Sequence, residues 1–238
     1  LAPLLPAHAH LDATGDHAGV ERLYLRSSRT LLAIAMPLAA AVVALAPALC
    51  TVWLGPGHDD AGWAACAIAG LLWVNVLTSA GCMVARGTGR AWIEARYQLL
   101  SMAIHLPLAL IWIPRLGFGG GLAALIVSGT AGTLYFLWAF HRALGLPWWA
   151  FAREVVAPPA LASALAAAAA WWTSTAIGGS EVAARGPALA GLAAGAGVFT
   201  VIALAILFAT RYVTVSGLRV GAAGLARALR GASGDAMP

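Results

Sequence analysis

Apolar and polar positions alternate along this chain in long blocks. Six apolar stretches stand out, at 30–54, 62–84, 97–113, 118–140, 155–177 and 187–209. Short segments that hold nearly all the charge separate them. Most of the stretches have the ~20 residues that a helix needs to cross hydrocarbon. The third is the shortest, and Arg96 and Arg115 bracket it. It either recruits Trp92 and Ile93 or lies where the bilayer is thin. Runs such as "LASALAAAAA" have no period-two alternation and are rich in alanine, a strong helix former. A membrane barrel would show shorter segments of alternating polarity. The pattern therefore predicts an all-α fold, a polytopic transmembrane helix bundle with six spans.

Composition agrees with that expectation. Of 238 residues, 61% are hydrophobic and only 10% charged, with a mean hydropathy of +0.85. Soluble domains carry about a quarter charged residues, so a water-exposed surface of this chain would be short of charge.

The 14 basic residues are all arginine, and their placement orients the bundle. Twelve fall in four segments: before the first span, after the second, after the fourth, and in the tail. Only Arg115 and Arg185 fall in the other connections. This is a positive-inside pattern, which places both ends of the chain in the cytoplasm. The net charge of +5 is thus assigned to membrane topology, and no nucleic-acid partner is expected. Trp53, Trp112, Trp171 and Trp172 sit near the outer ends of spans, and Trp92, Trp148 and Trp149 near the inner ends. Aromatic belts at headgroup depth explain them.

The organisation expected is a cytoplasmic linker and amphipathic lead-in over 1–29, four spans over 30–140, two more over 141–209, and a cytoplasmic amphipathic tail over 210–238. In the lead-in "GVERLYLRSSRT", Val20, Leu23 and Leu31 are spaced for one face that lies on the inner leaflet. Membrane lipids are accordingly partners. Two small-residue pairs, Ser128 with Gly132 and Gly191 with Gly195, are spaced for close helix packing.

Candidate chemistry is sparse. "VARGTGRAWIEARYQ" (84–98) invites a phosphate-loop reading, yet Trp92 stands where the third glycine of a dinucleotide motif belongs, and no Lys-Ser/Thr follows. A tight cytoplasmic turn explains it, with Arg86 and Arg90 available to an anionic headgroup. "HAHLDATGDH" (8–17) holds metal-competent residues without metal-ligand spacing, so it reads as a polar linker and no metal is expected. Cys50, Cys66 and Cys82, all inside apolar runs, read as buried inert thiols. Within the spans, Asn75 and His105 are the main polar exceptions and candidate substrate-binding residues. The alternative for each is a hydrogen bond to a neighbouring helix. No catalytic set is visible, and neither an enzyme activity nor a cofactor is expected.

The order of these features resembles the C-terminal part of polysaccharide flippases of the multidrug/oligosaccharidyl-lipid/polysaccharide exporter superfamily. The matching residues are Pro37 in the first span, Trp53-Leu54-Gly55 at its outer end, Gly87 with Arg90 in the inner turn, and Gly117 through Gly121 at the outer entry to the fourth span. The resemblance covers 1–144; the fifth and sixth spans match only as generic Ala-rich helices. It implies one part of a two-lobe flippase in a bacterial inner membrane, with "LAPLLP" resembling the end of a preceding helix and the N-terminal lobe lying outside this chain. The implied substrate is an oligosaccharide carried on undecaprenyl pyrophosphate, with Arg86 and Arg90 as the cationic candidates in this part. A drug or cation antiporter of the same superfamily, and after it a non-transport scaffold, are the rival readings. Such antiporters need an intramembrane carboxylate, and no Asp or Glu lies deep in these six stretches.

Overall fold

A computed structural model of the chain describes residues 14, 16–55, 57–178, 185–210 and 212. Among these residues every regular element is helical. The helices are α1 (His17–Leu54), α2 (Asp59–Gly87), α3 (Ala91–Leu144), α4 (Trp148–Phe151), α5 (Ala157–Gly178) and α6 (Arg185–Ala209). A π-helical turn, Ala152–Val156, joins α4 to α5, so 148–178 forms one helical run. Five helical runs are long and apolar enough to cross a membrane. Their outer surfaces carry exposed Leu, Ile, Val and Trp throughout, which a protein surrounded by water does not tolerate.

The expected third and fourth stretches lie within the single helix α3. Its 54 residues would reach ~81 Å if straight. Gly117 interrupts it, with φ 59 and ψ −138, a backbone conformation that a side chain resists. The chain doubles back there. A Cβ on Gly120 would collide with the Trp112 carbonyl, eight residues earlier. Ser101 Oγ donates to the Ser128 carbonyl at 3.3 Å, and the Tyr97 and Phe136 rings meet edge-on at 5.6 Å. The two limbs on either side of Gly117 therefore pack antiparallel.

α1 is the hub. It packs against α2, α5 and α6, while α3 packs mainly on α2 and meets α1 around Tyr24. One stripe of α1 makes these contacts: Val20, Tyr24, Ser28, Leu32, Met36, Ala40 and Ala44, all buried at four-residue spacing. This corrects the reading of the lead-in. Its buried face is Val20, Tyr24 and Leu32 rather than Val20, Leu23 and Leu31, and it is covered by protein, not by lipid. Helix α1 runs unbroken from His17 into the apolar stretch, because Tyr24 finds aromatic partners on α3 and α4 that the lead-in alone does not reveal.

A core cluster joins Val20 and Tyr24 of α1, Val84 and Ala85 of α2, Ile93 and Phe140 of α3, and Phe151 and Val155 after it. The segments bearing Arg22, Arg26 and Arg29, Arg86 and Arg90, Arg142, and Arg153 thus share one end of the bundle. A second cluster, of Ala40, Ala44, Ala166, Ala170, Phe199 and Ala203, binds α1 to α5 and α6. Close approach there depends on glycine: a Cβ on Gly191 would lie 2.6 Å from the Ser174 carbonyl oxygen, and one on Gly195 2.9 Å from that of Ala170. Gly132 likewise presses on Ser101 and Tyr97 across the α3 hairpin. Both small-residue pairs read from the sequence therefore lie at helix contacts.

Candidate functional site

Four residues carry the sequence-based expectation of a site: Asn75, His105, Arg86 and Arg90. The structure does not gather them. Asn75 lies midway along α2, and its Oδ1 accepts from the fully buried Thr133 hydroxyl at 3.1 Å. His105 lies on the first limb of α3 and meets Ser128 Oγ at 3.3 Å through Nδ1. Both contacts are interhelical hydrogen bonds, and both hold the second limb of α3: Asn75 from α2, and His105 from the first limb. Arg86 is eleven residues beyond Asn75, or ~16 Å along a helix.

Asn75 has a second relationship that His105 lacks. It lines an apolar groove between α1 and α2, about 580 Å³ in volume, whose walls include Leu38, Val42, Ile68 and Leu72. Among the described residues its Nδ2 donates no hydrogen bond. The Asn75 carboxamide, with the Ser79 hydroxyl one turn along α2, can bind a polar group that the apolar rest of the lining cannot.

At the arginine-rich end, Gly89 makes the turn between α2 and α3 with φ 69, and Arg90 N closes it by donating to the Ala85 carbonyl at 2.7 Å. This reversal brings Glu94 beneath Arg86. The guanidinium grips the carboxylate through two nitrogens, at 2.7 and 2.5 Å. Arg86 is therefore ion-paired within the chain, with its guanidinium still exposed. Arg96 stacks over Trp92 at 4.5 Å. Arg90 is half-buried and has no ion pair among the described residues, so it is the remaining cation of the expected pair.

The sequence did not single out three residues at this end. His141 is buried among Tyr24, Phe140 and Phe151. Its Nδ1 donates to the Leu137 carbonyl at 2.8 Å, which leaves Nε2 to accept from Tyr24 Oη at 3.5 Å. Tyr212, just beyond α6, donates to the Val155 carbonyl of the π turn at 2.6 Å and lies under the Arg29 guanidinium at 5.1 Å. Burial pushes its phenol up to about 12, with Arg29 pulling the other way. The rest of the expected tail, 211 and 213–238, lies outside the described residues. The four-residue spacing of Val20, Tyr24, Ser28 and Leu32 was the available sign that Tyr24 is buried; nothing local marks its partner at position 141.

Of the histidine- and aspartate-rich segment, 8–13 and 15 lie outside the described residues. Asp16 caps α1, accepting from Gly19 N at 2.8 Å, with Arg22 at 3.7 Å. No group of three metal-competent side chains occurs among the described residues. Cys50, Cys66 and Cys82 are free thiols, half-buried rather than fully buried.

These features define a membrane helix bundle with an apolar groove on one face and an arginine-rich end. The chain matches no family model, no curated protein and no solved structure.

Proposed function

We propose that the chain is part of a flippase that carries lipid-linked oligosaccharides across a bacterial inner membrane for cell-surface polysaccharide synthesis. In this reading the two limbs of α3 cross separately, which makes six spans, and the arginine-rich end faces the cytoplasm. The groove between α1 and α2 carries the reading. It is apolar over most of its length, open on the face where Leu38 and Leu72 are exposed, and polar only at Asn75 and Ser79. Such a surface suits an alkyl chain with a polar group attached. A sugar and a pyrophosphate cannot enter hydrocarbon uncompensated, so a second lobe, contributed by sequence outside this chain, would close the path. Rocking of the two lobes would expose it to each side in turn. Arg90 is the cation assigned to the incoming pyrophosphate, because Glu94 already occupies Arg86.

Transport tests this assignment. In inverted vesicles carrying the full reading frame that includes this chain, uptake of a fluorescent lipid-linked oligosaccharide should fall more in Arg90→Ala than in Arg115→Ala. Equal losses would reduce Arg90 to a topology determinant, and no uptake by the unaltered protein would remove the flippase reading.

Topology is tested separately. In a cysteine-free background, His58→Cys should react with an impermeant maleimide from the outside, and Thr88→Cys only after the membrane is opened. The reverse pattern would invert the bundle.

A further inference from the structure

The end of α3 forms a second groove, distinct from the one beside Asn75. The helix stops at Gly145, which takes a left-handed conformation with φ 68. Gly145 N donates to the Arg142 carbonyl at 3.4 Å and Leu146 N to that of His141 at 2.9 Å. Pro147 follows and turns the chain, so that Trp148 comes back beside the last turns of the helix. The groove between them has a volume of about 540 Å³ and is walled by Leu134, Leu137, Trp138, Arg142, Pro147 and Trp148.

Its chemistry is graded along its length. Leu134 and Arg142 are eight residues apart, or ~12 Å on a helix. The deep end is aliphatic and the shallow end is cationic. Arg142 stacks over Trp138 at 5.6 Å and makes no ion pair among the described residues. His141, the other polar wall residue, is committed to the Leu137 carbonyl and to Tyr24. Glu21 and Glu154 line a smaller neighbouring cavity, of about 50 Å³, on the other side of Leu146 and Pro147. They are not part of this groove. Trp138 and Trp148 are exposed, as tryptophans at headgroup depth are.

We propose that this groove holds one anionic phospholipid of the leaflet at the arginine-rich end. Its phosphate meets the Arg142 guanidinium and the start of an acyl chain lies along Leu137 and Leu134. The inference rests only on the chain spanning a membrane, not on what it transports. A guanidinium held flat on an indole is pre-oriented to offer its outward N–H groups to a phosphate. The aliphatic floor accounts for a lipid rather than a free anion.

The test is native mass spectrometry of the chain purified from bilayers of equimolar phosphatidylglycerol and phosphatidylcholine. One phosphatidylglycerol should be retained in preference to phosphatidylcholine. R142Q should retain about fivefold less, the change expected for one arginine near an anionic surface. R153Q, whose charge is at the same end but outside the groove, should retain as much as the unaltered chain. R142K keeps the charge and must still hold the lipid, which keeps the claim testable if R142Q loses helicity. Equal retention of the two lipids, equal retention by R142Q, or displacement of the lipid by soluble glycerol phosphate would each overturn the proposal.

Discussion

Replacing Gly191 with leucine should lower the stability of the bundle by ~3 kcal/mol, the upper part of the usual range for overpacking. Gly191 faces α5 where the two backbones nearly touch. A Cβ there would lie 2.6 Å from the Ser174 carbonyl oxygen, 2.9 Å from Gly178 N and 3.0 Å from Gly178 Cα. All three are backbone atoms of a packed helix and cannot rotate aside as a side-chain tip would. The only relief is to separate α5 from α6. That separation also strips contacts from Phe199 and Ala203 in the cluster with α1. Gly197 is the control. It lies on the same helix, and a Cβ there meets nothing within 4 Å. Gly197→Leu should be neutral or stabilising, since leucine exceeds glycine in helix propensity by up to ~1 kcal/mol. Thermal unfolding in a mild detergent measures both. Similar midpoints for the two variants would mean that α5 and α6 do not approach as described.

The second large effect is expected at Tyr24. Its ring stacks on Phe151 at 5.4 Å and meets Phe140 edge-on at 5.1 Å. Removing it should cost ~3–5 kcal/mol, as for other buried aromatic truncations to alanine. Tyr24→Phe keeps the ring and loses the hydroxyl, and with it the contact with His141. At 3.5 Å that contact is long, so its loss should cost about 1 kcal/mol or less. Denaturant titration followed by circular dichroism reads both. A Tyr24→Ala variant as stable as Tyr24→Phe would show that the lead-in does not dock on α3 and α4, and would return it to the membrane surface.

Much of the architecture was legible in the sequence because a bilayer imposes simple requirements. Blocks of ~20 apolar residues must be helical in hydrocarbon, since the backbone has no other partners there. The positions of the turns were legible too. Gly89 and Gly117 stand where the chain reverses, and each takes a positive φ. The spacings of Gly132, Gly191 and Gly195 pointed to close packing, and these glycines do lie at close helix contacts.

The candidate site was less legible. Arg86 and Arg90 looked alike in sequence, four residues apart in one basic turn. Only the reversal at Gly89 brings Glu94 under Arg86, while Arg90 has no ion pair among the described residues. His105 carried two readings, a ligand contact or a hydrogen bond to a neighbouring helix, and its partner, Ser128, lies 23 residues away across the Gly117 bend. Asn75 carries both readings, one atom bonded to Thr133 and the residue itself facing a groove. Arg142 looked like one more topology arginine until the turn at Gly145 and Pro147 placed Trp148 beside it.

The amino-acid sequence by itself determined that the chain is helical, how its apolar blocks are spaced, and that twelve of its 14 arginines fall in one set of connections. Hydropathy and charge act locally and are written in each segment. Which polar groups remain free to bind was decided only in the tertiary structure. A side chain's availability depends on what the folded chain brings against it, and for Arg86, His105 and Tyr24 that neighbour lies on another helix or beyond a turn.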